Sequence, residues 1–255
     1  MMYYLGSRLY YDRYRLTRPK GNFSEKMNPE QLIMRYASEI HQVFPYFNSI
    51  PHLYKINFGK RVLLFLKQYG FHSKQNASLT NTQKIKISAS YVKLTLGYKE
   101  FLINSFQNII VYPTAQYFEE FSEIHVGHFH PKMKTIMLAL DEFEKGINIA
   151  NDGKDLALHE FSHALCFEML KPNALHPDSD HFKYFFKKIV EWIETPSNLL
   201  KIKNDRFIRD YAFSNKLELV AVLVEVFFEC GDQMKSFYPE LYFYVGKMLH
   251  HPSIK

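Results

Sequence analysis

The residues whose types and spacing point to chemistry are His159-Glu160-Phe161-Ser162-His163. In a helix, positions i and i+4 share one face a turn apart, so both imidazoles can approach one ion. Zinc takes neutral imidazole nitrogens at about 2.0–2.1 Å and favours four ligands. Glu160 falls beside that pair rather than on it. It is placed to take a proton from a water that attacks a carbonyl. Three fixed positions in a chain with 12 histidines can also arise by chance. The plain alternative is a helical histidine pair with a glutamate between them. The surrounding pattern favours the sharper reading, because Leu156, His163 and Phe167 fall near one helical stripe.

A catalytic zinc needs a third protein ligand. Glu218 is the candidate, an acid in the otherwise apolar run 218–225, where a buried carboxylate is costly unless paired or metal-bound. Asn215-x-x-Glu218 also fits a capping box, in which Glu218 merely closes the start of its helix. Spacing alone leaves both open.

The elements that must position these residues can be read from periodicity. Helices are expected over 29–43, 51–69, 80–97, 153–170, 179–194, 215–229 and 239–249. The β-branched run 108–113 and the run 135–140 read as strands. Segment 1–28 reads as irregular. Helices, then strands, then helices indicate an α+β fold. The division expected is an N-terminal extension over 1–50 and a catalytic domain over 51–255.

Composition narrows the class. A hydrophobic content of 47% in 255 residues is that of a globular protein, and aromatics at 16% suggest a core of large rings. The formal charge of +6 is spread along the chain without a finger or an RNP-like stretch, so nucleic-acid binding is not expected. No run reaches the roughly 18 apolar residues of a membrane helix. The first 20 residues lack the apolar core of a signal peptide, so a cytoplasmic location is expected and the sequons Asn22-Phe23-Ser24 and Asn76-Ala77-Ser78 read as chance matches. Cys166 and Cys230 are too few for a disulfide framework and read as buried thiols. His125, His128 and His130 form a dense cluster, read as a polar loop with a second metal site as the alternative. His176, His181, His250 and His251 read as solvated. No nucleophile elbow or phosphate-binding glycine loop is present.

The stretch from Asn151-Asp152-Gly153 through His163-Ala164-Leu165 resembles the MtfA-like zinc peptidases, the glucose-regulated metallopeptidases, whose catalytic domain is similar to that of anthrax lethal factor. A second resemblance runs from Tyr211 through Glu218 to Glu225 and Phe228. Val111-Tyr112-Pro113, 238–242 and His251-Pro252 also look like the family, and the likeness spans roughly 50–252. It implies a zincin-like domain with a small mixed sheet, and a gluzincin-type peptidase acting as aminopeptidase or endopeptidase on peptide or protein substrates. It implies one zinc ion per chain on His159, His163 and Glu218, with Glu160 as general base and Tyr211 as oxyanion donor. Glu225, two turns after Glu218, would then support a ligand histidine. The histidine cluster at 125–130 would lie near the cleft rim. Cys166 departs from relatives that carry an acid there. In zincin-like folds an extended substrate adds to an edge strand, and 135–140 is the strand expected to receive it. The alternative function is a regulatory protein-binding module with weak or no proteolysis, engaging a protein partner.

Overall fold

The computed structural model describes residues 29–118 and 123–254; residues 1–28, with the Asn22-Phe23-Ser24 sequon, lie outside the described residues. Helix α1 (Pro29–Val43), the short α2 (Tyr46–Ser49) and α3 (His52–Gln68) open the described chain. Strand β1 (Gly70–Ser73) and helix α4 (Asn81–Thr95) follow. Five strands come next: β2 (Asn108–Tyr112), β3 (Gln116–Phe118), β4 (Glu123–His125), β5 (Gly127–His130) and β6 (Thr135–Ala139). The remainder is helical: α5 (Leu140–Asn148), α6 (Leu156–Met169), α7 (Ser179–Glu194) and α8 (Pro196–Asp205). A 3-10 turn (Asp210–Phe213) leads into α9 (Lys216–Glu229), α10 (Gly231–Phe237) and α11 (Pro239–Met248).

The architecture is mixed α and β, with a four-stranded mixed sheet in the order β1-β2-β6-β5. β1, β2 and β6 run parallel and β5 is antiparallel to β6, with Gly127 opposite Leu138. β3 and β4 form a separate hairpin. Strand alternation sends Ile109, Val111, Ile136 and Leu138 into the main core, and Ile110, Tyr112 and Met137 into a second cluster.

This order corrects the expected substrate strand. β6 is hydrogen-bonded on both sides, so 135–140 has no free edge. Its residues Thr135 to Ala139 are all buried, the pattern of an interior strand. The strand at the sheet's end is β5. The 125–130 cluster is also corrected from loop to strand, with His125 closing β4 and His128 and His130 on β5.

Ile40, Phe44, Phe47 and Ile50 join the same core as Leu158, Phe161 and Val222 of α6 and α9. α4 begins with a complete capping box between Thr80 and Gln83. Its C-terminal end is held by Arg61, which donates to the carbonyls of Thr95 at 2.9 Å, Leu96 at 3.2 Å and Tyr98 at 2.6 Å. Buried backbone acceptors need such partners.

An aromatic cluster fixes the rotation of α6. At 100° per residue, Phe161 points about 200° away from His159. Its ring packs on Tyr91 at 5.1 Å, Phe106 at 5.7 Å and Phe65 at 6.0 Å. With Phe161 sunk among these rings, His159 and His163 must face the opposite side. Gly70, directly after the helix expected over 51–69, starts β1, and the histidines expected to be solvated are packed. His181 stacks on His250 at 4.0 Å, and His251 lies against Phe227 and Phe228 at 5.2 and 5.5 Å. His176 is bonded at both ring nitrogens, to the Glu100 carbonyl and the Asp178 N–H.

Candidate metal centre and active site

Helix α6 starts at the N-cap Asp155, whose carboxylate accepts from Leu158 N–H at 3.0 Å. Asp155 is buried and faces Lys93 at 3.7 Å, which in turn reaches Glu229 at 3.0 Å. Burial pushes the Asp155 carboxyl up to about 6, against the pull of Lys93. Helix α9 starts at Asn215, which accepts from Leu217 and Glu218 N–H at 2.9 and 3.0 Å. The cap foreseen in the sequence is therefore present, but the Glu218 side chain turns to the histidines instead of back to its own helix start.

Glu218 Oε2 lies 3.0 Å from His159 Nε2 and 3.3 Å from His163 Nε2. The two Nε2 atoms are 3.1 Å apart. Among the described residues these three are the group whose ligand atoms converge. Two bonds of about 2.0–2.1 Å at a tetrahedral angle span roughly 3.3 Å, close to all three separations. Glu218 Oε2 is buried and has no well-formed hydrogen bond, which suits an atom awaiting a different partner.

The electrostatics point the same way. Burial would raise the Glu218 carboxyl, but His159 and His163 outweigh it and hold it well below the usual carboxylate range. Burial would lower His159, yet the Glu218 and Glu225 carboxylates beside it hold it up at about 10. Three carboxylates, Glu160, Glu218 and Glu225, thus surround a pair of imidazoles, a field that stabilises a cation. The donor set of two imidazoles and one carboxylate fits zinc with a position left for solvent or substrate.

Glu160 is 5% exposed and sits beside this triangle. Burial raises its carboxyl, while His159, His163 and the Phe129 backbone pull it down and Glu218 adds to the rise. It packs directly under β5: a Cβ added to Gly127 would stand 2.6 Å from Glu160 Oε1 and 2.6 Å from Leu156 Cδ1. Tyr211, on the 3-10 turn, is 54% exposed, with its ring 6.2 Å from that of His159. Burial first, then Glu218, raises its hydroxyl to about 12. Glu225 approaches His159 from behind, with Oε1 2.6 Å from Nδ1.

All six residues singled out in the sequence are thus brought to one place. His125, His128 and His130 follow one another, with ring centroids 5.5 Å apart and tilted, then 5.8 Å apart and edge-on, without converging on a common point. Burial, then the neighbouring histidines, lowers His128 to about 4. Cys166 is buried on α6 two turns after His159, where burial pushes its thiol up to about 12. Cys230 is half-buried at the end of α9. Three contributors were not foreseen. Gly127 gives Glu160 room, Asp155 caps the helix, and Arg209 pairs with Glu225. A buried acid in an apolar helix signals a cationic partner, but the sequence holds 32 Lys and Arg to choose from.

The described residues include no helix long and apolar enough to cross a membrane. The uncharacterized protein slr2042 of Synechocystis sp. is 24% identical to this chain, with 71% of each covered. The chain matches the profile of the glucose-regulated metallo-peptidase M90 family over residues 20–249, further toward the N-terminus than the resemblance read from 50–252. That match covers most of the sequence, and the chain belongs to the glucose-regulated metallo-peptidase M90 family.

Proposed function

We propose that the protein is a zinc-dependent peptidase of gluzincin type on a zincin-like domain, with His159, His163 and Glu218 holding one zinc ion. The observation that carries this is the triangle of two Nε2 atoms and Glu218 Oε2, 3.0 to 3.3 Å on each side, with a buried glutamate against it. The ion would supply a polarised carbonyl and a water acidified toward neutral pH.

The chain's own residues do the rest. Glu160 takes a proton from the attacking water and later returns it to the leaving amine. Burial raises its carboxyl toward the neutral form, which makes that return easier. Tyr211 keeps its proton at neutral pH and donates to the developing oxyanion. Glu225 orients His159 through Nδ1. An extended peptide would lie along β5, the end strand of the sheet, above Glu160.

Glu160→Gln keeps the shape of the side chain and removes the base. Turnover of a peptide library should be lost while about one zinc per chain remains bound. A Glu160→Gln protein that still cleaves would end this reading.

A further inference from the structure

Glu225 is 2% exposed, and its two oxygens meet four partners. Oε2 accepts from Asp155 N–H at 2.9 Å and from Arg209 Nη1 at 3.2 Å. Oε1 accepts from Arg209 Nη2 at 2.5 Å, and faces His159 Nδ1 at 2.6 Å. Arg209 also donates from Nη1 to the Gly153 carbonyl at 3.2 Å, on the turn that precedes α6.

A guanidinium offers donors only, as does a backbone N–H. Every contact of Glu225 other than His159 is therefore a donor, and both oxygens are committed as acceptors. The 2.6 Å bond to the imidazole must then be donated by Nδ1–H. In the neutral imidazole that ligates a metal, this leaves the lone pair on Nε2, the nitrogen turned toward His163 and Glu218. Arg209 Nη2 also comes within 3.4 Å of Nδ1, but this contact is long, and the 2.6 Å contact decides the tautomer. Without the guanidinium, the Asp155 N–H would remain as the donor holding Glu225 in place beside His159, and the orientation of the imidazole would loosen.

We propose that Arg209 is a positioning residue that, by gripping both oxygens of Glu225, fixes the His159 tautomer and so sets the affinity of the metal site. The inference rests on the zinc-site reading above. Arg209 touches neither substrate nor metal in this role. It acts through Glu225, and the bidentate fork is the feature that lysine cannot reproduce.

The test is a cycle of zinc dissociation constants, measured by chelator competition on the full chain: wild type, Arg209→Met, Glu225→Gln and the double variant. Arg209→Met should bind zinc about 10–100-fold more weakly than wild type. In the Glu225→Gln background the same substitution should change the constant by less than about 2-fold, because the path it acts through is already cut. A general loss of structure would instead add in both backgrounds. Where Arg209→Met does not fold, Arg209→Lys serves in the same cycle, with an expected loss of about 3–10-fold from one ammonium in place of a fork. An Arg209 variant that binds zinc as wild type does, or that loses the same factor in both backgrounds, overturns the proposal. A wild-type protein that takes up no zinc overturns the metal-site reading itself, so the two failures are told apart by the wild-type arm.

Discussion

Replacing Gly127 by Ala adds one methyl group between the end strand and the proposed general base. The backbone there does not require glycine, since φ is not positive, so the effect is one of space. The new Cβ would stand 2.6 Å from Glu160 Oε1, 2.9 Å from Glu160 Cγ and 2.6 Å from Leu156 Cδ1. Carbon atoms settle at about 3.5–4.0 Å, so the neighbours must give by roughly 1 Å. Leu156 belongs to the first turn of α6, so the added methyl must force β5 and α6 apart and strain the contact of Glu160 with the Phe129 backbone. A displacement of about 1 Å at a reacting group can cost about 100-fold in rate. Overpacking should lower stability by about 1–3 kcal/mol. None of the three ligand side chains is among the atoms nearest the added Cβ. Peptide turnover by Gly127→Ala should therefore fall about 100-fold with zinc content near one per chain. A variant within about 3-fold of wild-type turnover would refute the placement of Glu160 against β5.

Tyr211→Phe removes the proposed oxyanion donor and should lower kcat about 100-fold with KM little changed; a change confined to KM would make Tyr211 a binding residue only. His251 Nε2 lies 3.1 Å from the Tyr46 hydroxyl, and burial, then Lys93, lowers it to about 4. A lowered histidine is neutral in the fold, so its contribution is fully present above pH 6.5 and is lost as pH falls toward 4. Wild type should lose about 3 kcal/mol more than His251→Gln between pH 7 and 4 in urea titrations, and equal losses would contradict this. Arg61→Ala strips the partners from the Thr95, Leu96 and Tyr98 carbonyls and should cost about 3 kcal/mol by the same assay, whereas a loss under 0.5 kcal/mol would mean water replaces the clamp.

Much of the site was legible because helices express local rules. His159 and His163 needed only a helix beneath them, and Asp155 to Met169 supplies one. The Asn215 cap was visible for the same reason, while the direction of the Glu218 side chain depended on where α9 packs on α6. Interior strand β6 was found from its run of apolar residues, but its place inside the sheet was not. That place is set by β5, whose Gly-His-Phe-His sequence has no strong strand signal and pairs through backbone atoms. Arg209 was hidden because its partner Glu225 lies 16 residues away, across a turn whose path no periodicity describes. The stacked His181 and His250 were missed likewise, brought together by the packing of α11 on α7.

The claim on which the rest depends is that two imidazoles and Glu218 hold one zinc ion. The most direct measurement is the zinc content and zinc affinity of the purified chain, wild type beside His163→Ala and Glu218→Ala. The expected result is one zinc per chain in wild type and loss of tight binding in both variants. A wild type that neither carries nor takes up zinc, or a Glu218→Ala variant that binds it unchanged, would contradict the assignment.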